Sequence, residues 1–381
     1  MGSDDLEGVM LGNRSVSSEG SQDGRKRPQR VQRRPTIVDV AELAGVSVGT
    51  ASKALNGRGS LRPETRARVL RAAKHVGFEP NALAQSLLAG RSFTVGLLTT
   101  DSFGRFSIPV VMGAEDALGE GRISVFLCDG RGDPEREARY VRTLLARRVD
   151  GIIVTARRVD PRPPIAPHLP IPVVYAMTQS TDRGDLAVLP DDEGGGRIAV
   201  EHLIQLGRRR IAHVTGPERF AAAVRRAKGA LAALDEAGMS MAGGGVFFGE
   251  WSEEWGRRSL SQILDTEPHT DAIFCGSDQI ARGVTDALRE LGIRVPDDIA
   301  IDGYDNWEVI TNAARPPLTT IDPNLVEVGR VAARELLAAI NGTMAGGVRI
   351  VTPRLVVRES TGGTSQAPLQ EQSMEHLEHK R

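Results

Sequence analysis

Short apolar runs alternate with longer segments of helical periodicity over most of the chain. The apolar runs are "FTVGLLTT", "ISVFLCDG", "DGIIVTA", "PVVYAM", "LAVLPDD", "RIAHVTG", "GVFFGE", "TDAIFCGSD" and "DIAIDGYDN". Apolar residues recur every three or four positions between most of these runs, over 133–148, 195–206, 218–238, 278–291 and 325–341. Continuous apolar strands separated by helices predict parallel sheets covered on both faces. Because about 270 residues is too many for one such sheet, we expect two α/β lobes.

Two lobes of this kind would form a ligand site between them. Ligands of open α/β sheets bind outside the carboxyl ends of the strands. When two lobes face each other, these ends line a cleft that can open and close.

The pattern before residue 92 is different and predicts short helices. In "TIVDVAELAG" the apolar positions recur at i, i+3, i+4 and i+7, and they are Ile37, Val40, Ala41 and Ala44. Thr36 can cap this helix, with Asp39 near its positive end, and Gly45 ends it.

A second helix follows in "SVGTASKALN", residues 47–56. Ser47 supplies a capping hydroxyl, and Ala51 and Leu55 share a face that can pack against Ala41 of the first helix. The opposite face carries Val48, Gly49, Ser52 and Lys53. Two helices joined by a tight turn predict a helix-turn-helix, whose second helix fits a major groove about 12 Å wide. The alternative is a plain helix pair, since such pairs also occur in domains that bind no nucleic acid.

The charge distribution favours nucleic acid. From Arg25 to Arg91 the chain has 14 Lys or Arg against four Asp or Glu, a net of +10. Residues 1–24 carry −4, so the remainder must carry −7 to give the formal total of −1. A basic segment inside a near-neutral protein is what a polyphosphate backbone attracts.

Two further elements are predicted after the helix-turn-helix. Pro63 suits the first turn of a third helix that runs to about Val76 and ends at Gly77. The stretch "FEPNALAQSLLAGRS" then gives a short helix capped by Asn81 and closed by Gly90. Because so short a helix is unstable alone, we expect it to order only against a partner or a ligand.

"TIVDVAELAGVSVGTASKALN" followed by "PNALAQSLLAG" resembles the DNA-binding headpiece and hinge of the lactose-repressor (LacI/GalR) family. The resemblance implies that hinge helices from two subunits pair in the minor groove of a double-stranded DNA operator. By position in the motif, Leu87 would be the wedge that opens a base step and Leu83 would line the helix pair. The alternative for Leu87 is simple packing on the next domain.

The same resemblance assigns the DNA contacts of the headpiece. Val48, Gly49 and Lys53 occupy the positions that read base edges, and Lys53 suits a hydrogen bond to guanine. Contacts to phosphates that set the register are expected from Ser47, Thr50, Ser52 and Asn56. Thr36 and Asn81, at the helix starts, complete the DNA-binding set. Arg62 departs from the family, which commonly has a Ser helix cap there.

The rest of the chain is similar to the effector domain of the same family. The marks are "GSDQIARG", "VPDDIAIDGYDN" and "PPLTTID". They imply a two-lobed α/β domain like the periplasmic binding proteins, crossed three times by the chain, behind an N-terminal all-α helix-turn-helix headpiece. The expected domains are a basic leader (1–34), a headpiece (35–80), a hinge helix (81–91), an effector-binding and dimerisation domain (92–360) and a tail (361–381), with leader and tail unstructured.

Several residues at strand ends are candidates for holding a small-molecule effector. By motif position the second-lobe set is Arg226, Trp251, Ser277, Gln279 and Asp305, and the first-lobe set is Thr100, Asp101 and Phe106. The adjacent Arg225 leaves an alternative register for Arg226. Asp278 is interpreted as a helix cap and not a ligand contact, and Trp251 could instead be core filling. A sugar or sugar-like effector is favoured by family frequency, and nucleobases remain open.

Other classes of function find little support in the sequence. The second half lacks GxxxxGK[ST], GxSxG and HExxH, so we expect no enzyme, no cofactor and no metal site. Cys128 and Cys275 lie in strand patterns and are interpreted as inert buried thiols. No signal peptide precedes the headpiece and no apolar run reaches 18 residues. We therefore expect a cytoplasmic bacterial protein, with no membrane partner, that joins the nucleoid when bound to DNA.

The sequence-based hypothesis is a homodimeric regulator, most simply a repressor of carbohydrate genes. The tail has no sustained Leu heptad for a tetramerising coiled coil. The basic leader "GRKRPQRVQRR" adds loose phosphate contacts or is only solvated. The alternative is a cytosolic small-molecule-binding protein with nonspecific DNA affinity.

Overall fold

The computed structural model describes residues 35–56, 59–78, 91–119, 123–343 and 345–363. These residues form two compact units, one up to Phe78 and one from Arg91 onwards. In the part of the chain so described, no helix is both long and apolar enough to cross a bilayer.

The first unit is a bundle of three helices around a core of small side chains. They are α1 (Ile37–Ala44), α2 (Val48–Leu55) and α3 (Pro63–Val76). The buried residues are Val40, Ala41, Ala44, Ala51, Ala54, Val69, Ala72 and Ala73. Because most are alanines, the helices approach closely, as expected from the apolar spacing.

The predicted caps are present in this bundle. The Asp39 carboxylate accepts hydrogen bonds from the Thr36 backbone N–H at 2.6 Å and from the Thr36 hydroxyl at 2.7 Å. The Ser47 Oγ accepts from the Thr50 N–H at 3.2 Å. Gly45 and Gly77 adopt the left-handed conformation after α1 and α3. Arg62 makes no side-chain cap, in agreement with its departure from the family pattern.

The second unit alternates strands and helices. The strands are β1 (Thr94–Thr99), β2 (Ser124–Asp129), β3 (Gly151–Thr155), β4 (Pro161–Arg162), β5 (Val173–Ala176), β6 (Gln179–Ser180), β7 (Leu186–Pro190), β8 (Ile211–Thr215), β9 (Val246–Phe248), β10 (Ala272–Cys275), β11 (Ala300–Tyr304), β12 (Thr319–Asp322), β13 (Gly347–Val351) and β14 (Arg354–Val356). The helices are α4 (Ser107–Gly119), α5 (Pro134–Ala146), α6 (Asp192–Gln205), α7 (Ala221–Glu236), α8 (Glu253–Thr266), α9 (Asp278–Glu290), α10 (Glu308–Thr311) and α11 (Leu325–Ile340).

Two six-stranded sheets define two lobes. The first-lobe sheet has the order β13-β7-β5-β3-β1-β2 and is parallel throughout. The second-lobe sheet has the order β14-β12-β11-β10-β8-β9, in which only β14 is antiparallel to its neighbour. The two-lobed α/β architecture predicted from the pattern is therefore confirmed.

The chain passes between the lobes three times, as the resemblance implied. It leaves the first sheet after β7 and enters the second lobe through α6 and β8. It returns after β12 through α11, whose buried residues belong to the core of the first lobe. A last crossing joins β13 in the first sheet to β14 in the second. Three connecting segments between two rigid lobes form a hinge region.

Glycines let helices of each lobe pack with their backbones in contact. A Cβ added to Gly229 of α7 would lie 1.8 Å from the Glu193 carbonyl oxygen of α6. A Cβ added to Gly113 of α4 would lie 1.8 Å from the Val326 carbonyl oxygen of α11. A Cβ added to Gly283 of α9 would lie 2.0 Å from the Glu253 carbonyl oxygen of α8. These distances are far below van der Waals contact, so only glycine fits at the three crossings.

The two cysteines differ in burial. Cys275 lies in the buried central strand β10, as predicted. Cys128 is only half-buried, because β2 is an edge strand with Phe126 and Leu127 exposed. Burial raises the pKa of both thiols, which lowers their nucleophilicity at neutral pH.

Candidate DNA-binding and effector-binding sites

The outer face of α2 presents the residues expected to read DNA. Val48 is 44% exposed, and Gly49 and Lys53 are also exposed, while Ala51 and Ala54 on the inner face are buried. No carboxylate of the described residues pairs with Lys53. A short exposed helix with small side chains and one accessible ammonium group has the shape and charge to enter a major groove.

The residues expected at phosphates flank this face. Ser47 is exposed, and Thr50, Ser52 and Asn56 are half-buried. Their side chains also stabilise the ends of α2, because Ser47 caps its start and the Asn56 amide donates to the Ser52 carbonyl oxygen at 2.9 Å. The three hinge residues Asn81, Leu83 and Leu87 lie outside the residues that the structure describes.

The candidate effector site is a cavity of about 140 Å³ between the two lobes of the second unit. Six of the eight predicted effector residues line it, and they are Phe106, Arg226, Trp251, Ser277, Gln279 and Asp305. The other walls come from Arg105, Arg157, Arg158, Val159, Asp160, Met177, Phe220 and Ala222. Most of these residues follow the carboxyl ends of strands, where the fold class places a ligand.

Arg226 of α7 is the buried centre of the second-lobe wall. Its Nε donates to Asp192 Oδ1 at 2.8 Å and its Nη1 donates to the Gly276 carbonyl oxygen at 2.6 Å. Its guanidinium stacks 3.5 Å from the Tyr304 ring centroid. Burial by itself would lower the pKa of Arg226, but Asp192 and Asp305 raise it, so the group stays charged.

Asp305 holds its carboxylate in the cavity through an unusual backbone conformation. Its φ is 104°, which a residue with a side chain rarely adopts. One carboxylate oxygen pairs with Arg226 at 3.5 Å and the other with Arg105. Burial raises the pKa of the Asp305 carboxyl, while the two arginines oppose that rise. The strain at φ marks a position whose side-chain direction is fixed by the surroundings.

Arg105, which the sequence analysis missed, crosses the cleft. It belongs to the first lobe, in the loop between β1 and α4, and its Nη1 donates to Gln279 of the second lobe at 3.1 Å. Its Nη2 pairs with Asp305, and its guanidinium lies 4.3 Å from the Trp307 ring centroid. Arg105 thus joins the lobes within the lining of the candidate site. Its position directly before the predicted effector residue Phe106 could have identified Arg105 from the sequence.

Asp160 makes a second contact between the lobes, and it was also missed. Its Oδ1 accepts a hydrogen bond from the Ala221 N–H at 2.9 Å, so a first-lobe carboxylate caps second-lobe helix α7. Among the described residues, its Oδ2 is buried and has no hydrogen-bond partner. Arg157, Arg158 and Asp160 follow β3, and that position at a strand's carboxyl end could have identified them.

Comparison with known proteins decides the family. A profile described as "Bacterial regulatory proteins, lacI family" matches residues 36–81, and one described as "Periplasmic binding protein-like domain" matches residues 200–361. The chain is 35% identical to the HTH-type transcriptional regulator CelR of Thermobifida fusca, over 86% of this chain and 99% of that protein. It is 34% identical to the Ribose operon repressor of Escherichia coli K12, over 85% of this chain and 99% of that protein. The chain belongs to the lacI family of bacterial regulatory proteins.

Solved structures agree with this assignment. The CelR–cellobiose complex is 32% identical, with a TM-score of 0.57, and the match covers 86% of this chain and 100% of that one. The lac repressor dimer bound to operator and the anti-inducer ONPF is 27% identical, with a TM-score of 0.64, over 86% of this chain and 99% of that one. This lacI-family chain is therefore a DNA-binding transcriptional regulator with an effector domain. These similarities favour a transcriptional regulator over the alternative of a cytosolic small-molecule-binding protein with nonspecific DNA affinity.

Two first-lobe residues predicted to contact effector in this regulator lie elsewhere. The buried Asp101 carboxylate accepts from the Phe106 N–H at 2.8 Å and the Ser107 N–H at 2.9 Å, so it stabilises the start of α4. Thr100 lines a separate, shallower cavity. Neither residue is part of the lining between the lobes. The loop carries Phe106 into the cavity because Asp101 anchors the turn.

The interpretation of Asp278 as a helix cap is wrong. Ser277 caps α9, since its Oγ accepts from the Ile280 N–H at 3.3 Å. Asp278 is buried and accepts from the Thr320 hydroxyl at 2.6 Å and the Trp307 N–H at 2.7 Å. Burial, with a contribution from Asp305, raises the pKa of Asp278 to about 8. Asp278 therefore ties α9 to β12 and is not part of the cavity lining.

Trp251 contributes both to the cavity lining and to the packing of the second-lobe core. Its ring lines the cavity and is partly packed against the core of the second lobe. A Cβ added to Gly216 would lie 2.1 Å from this ring, so the residue after β8 must be small to seat it. One half-buried face remains available to stack on a flat ligand.

Proposed function

We propose that this chain is a repressor that binds a palindromic operator as a homodimer and responds to a sugar or sugar-like molecule in its cleft. The cavity between the lobes, with the buried Arg226–Asp305 pair facing it, carries this proposal. The exposed face of α2 supplies the DNA-reading surface, and the hinge assignment of Leu83 and Leu87 comes from the sequence resemblance. Such a regulator works in the cytoplasm, at the nucleoid when bound to DNA.

The chemistry of the cavity suits a ligand with hydroxyl groups. The Asp160 Oδ2 acceptor in the cavity lining is buried without a partner among the described residues, so it can take a hydrogen bond from a ligand hydroxyl. Phe106, Phe220 and Trp251 offer apolar faces against which a sugar ring can lie. Solved CelR contains cellobiose, and the similarity to that protein supports a carbohydrate here.

The proposed control acts through the lobes. An effector that binds one arrangement of the lobes better than another shifts operator affinity by its differential affinity. Because the chain crosses between the lobes three times, closure changes the direction of one lobe relative to the other. In the dimer this movement sets the spacing of the two hinge segments, and the hinge segments position the headpieces.

Selection of DNA sites with the full-length protein tests the first part of the proposal. Lys53→Ala should weaken binding to the selected palindrome by about 1–3 kcal/mol, or roughly tenfold or more, because one base contact is lost. Binding to unrelated DNA should change little. Lys74→Ala, which removes an exposed lysine from α3, is the matched control.

Two outcomes of this experiment would contradict the proposal. In the first, no palindrome is enriched above unrelated DNA, which would leave only nonspecific adhesion. In the second, Lys53→Ala and Lys74→Ala weaken binding to the palindrome and to unrelated DNA by the same factor, which would show that Lys53 of α2 does not read bases.

A further inference from the structure

The cavity between the lobes is rich in arginine. Among the described residues, its lining contains the guanidinium groups of Arg105, Arg157, Arg158 and Arg226 and two carboxylates, Asp160 and Asp305. The walls therefore have an excess of two positive charges, which Asp192 behind Arg226 reduces to one. A site for a neutral hydroxylated molecule requires no such excess.

Two of the four arginines already have partners. Arg226 pairs with Asp192 and Asp305, and Arg105 pairs with the second oxygen of Asp305 and with Gln279. The two carboxylates and two guanidinium groups of this cluster balance one another. The excess charge is therefore at the other wall, after β3.

Arg157 and Arg158 form that wall. Both are exposed, and neither has a salt bridge to a carboxylate among the described residues. Asp160, the nearest acid in the chain, accepts from the Ala221 N–H through Oδ1, and its Oδ2 has no hydrogen-bond partner among the described residues. The Arg158 guanidinium lies 4.1 Å from the Phe220 ring centroid, which holds it at the rim of the cavity.

The same two arginines also line a second, shallower cavity of about 380 Å³ in the first lobe. Arg162, which shares this second lining, is paired with Glu137. Arg157 and Arg158 thus lie between two adjoining spaces, where a ligand group too large for the inner cavity can extend.

Closure of the lobes around a ligand changes the solvation free energy of these two charged arginines. Arginines that face open water are well solvated, but a ligand that fills the cavity removes that water. An anionic group on the ligand compensates for the loss, and the planar guanidinium binds carboxylate or phosphate oxygens in pairs. A neutral ligand offers the two arginines no charged partner in place of the water that it displaces.

We propose that the effector is an anionic carbohydrate, with its hydroxylated body at Arg226, Asp305 and Trp251 and its carboxylate or phosphate group at Arg157 and Arg158. This inference rests on the proposed effector function of the cleft and specifies the ligand class.

Matched sets of sugars test the ligand class on the full-length protein. Each set holds an aldose, its uronic or aldonic acid and its phosphate ester, for example glucose, glucuronate, gluconate and glucose 6-phosphate. Binding is measured by calorimetry at constant ionic strength, with inorganic phosphate alone as the probe for unspecific anion binding. An anionic member should bind at least about tenfold more tightly than its neutral parent, and the preferred arm identifies carboxylate or phosphate.

Two sets of variants test which side chains bind the anionic group of the sugar. Arg157→Gln combined with Arg158→Gln should weaken binding of the preferred anionic sugar at least about tenfold and leave the affinity for its neutral parent within about twofold. Arg142→Gln removes an exposed arginine of α5 outside both linings and should leave both affinities unchanged.

The outcomes separate this inference from the proposed function. If a neutral parent binds as tightly as its acid and its phosphate and also alters operator affinity, the proposed function stands and the anionic class is wrong. If the double variant binds the anionic sugar as well as Arg142→Gln does, Arg157 and Arg158 are not the anion site. If operator binding is intact but no sugar of any set binds, both the ligand class and the carbohydrate part of the proposed function fall.

Discussion

Arg226 stabilises the second lobe as well as facing the ligand. Its side chain is almost completely buried and neutralises Asp192, which is itself fully buried. Removing one member of a buried ion pair leaves an uncompensated charge, and this typically costs about 3–5 kcal/mol. Arg226→Ala should therefore lower the free energy of unfolding of the full-length protein by about that amount, as measured by urea denaturation.

Arg225→Ala is the matched control for this change. Arg225 is the adjacent arginine, is only half-buried and has no ion pair among the described residues. Its replacement should cost about 1 kcal/mol or less. If Arg225→Ala proved the more destabilising of the two variants, the assignment of Arg226 to the buried cluster would be wrong.

Asp302 of β11 gives a stability prediction that depends on pH. It is buried, and neither carboxylate oxygen has a hydrogen-bond partner among the described residues. Burial raises the pKa of Asp302 well above its ordinary value, so the folded protein binds this proton more tightly than the unfolded chain does. The folded state consequently loses stability as the pH rises from about 4 towards the folded pKa.

Asp302→Asn, which cannot ionise, removes this loss. The variant should be more stable than the wild type at pH 7, and its advantage should shrink towards pH 4, where the unfolded carboxyl is protonated too. Urea denaturation at both pH values measures the difference. An advantage that grows as the pH falls would contradict the assigned direction of the pKa shift.

Single residues could be predicted from the sequence where a motif fixes them. Trp251 and Asp305 lie in the cavity because they follow strands whose ends form its wall, and Arg226 reaches the cavity from α7. Arg105 and Asp160 could not be assigned, because their roles arise from contacts with the opposite lobe, which no local pattern encodes. Asp101 could not be placed from the pattern alone, because a strand-end carboxylate can bind either a ligand or the next backbone N–H groups, and here it accepts from the Phe106 and Ser107 N–H groups.

Regular elements were easier to predict than side-chain roles. The expected helix at 325–341 is Leu325–Ile340, and the third helix of the first unit runs from Pro63 to Val76 as its Pro and Gly signals indicated. Helix α4 was not assigned, because its sequence "SIPVVMGAEDALG" is apolar on several faces and leaves Ile108 and Met112 exposed. β13 and β14 were not assigned either, since each is short and lies at the edge of a sheet.

Helices α6 and α7 pack with unusual closeness, and Gly229 tests this contact. Gly229→Ala places a methyl group against the Glu193 carbonyl oxygen, so the two helices must separate. The expected loss in the free energy of unfolding is about 1–3 kcal/mol, as for other overpacked contacts. Because α7 carries Arg226, ligand affinity should fall as well.

Gly119→Ala provides the comparison for this element. Gly119 is also helical, but a Cβ added there meets no atom within 4 Å. The same substitution should therefore be neutral or slightly stabilising. Equal losses in thermal denaturation at both positions would show that the close approach of α6 and α7 does not determine the effect.

Among the described residues, Arg105 and Asp160 make polar contacts across the cleft between the two lobes of the effector domain. Arg105 of the first lobe binds Asp305 and Gln279 of the second, and Asp160 of the first lobe caps α7 of the second. Both contacts lie in the lining of the candidate effector cavity. A ligand that enters the cavity must therefore exchange contacts with the same groups that hold the lobes together, which gives it a different affinity for the open and closed arrangements.

Operator affinity of a variant without these two contacts is the most direct test of the coupling between cleft and DNA. The full-length Arg105→Gln, Asp160→Ala protein and an Arg142→Gln control are titrated against the selected operator by fluorescence anisotropy, after circular dichroism has shown that both are folded. Couplings between sites typically change affinity about 5–150-fold. We expect the double variant to bind the operator with an affinity changed at least about fivefold, while Arg142→Gln remains within about twofold of the wild type. An operator affinity of the double variant equal to that of the wild type would contradict the claim that the cleft controls DNA binding.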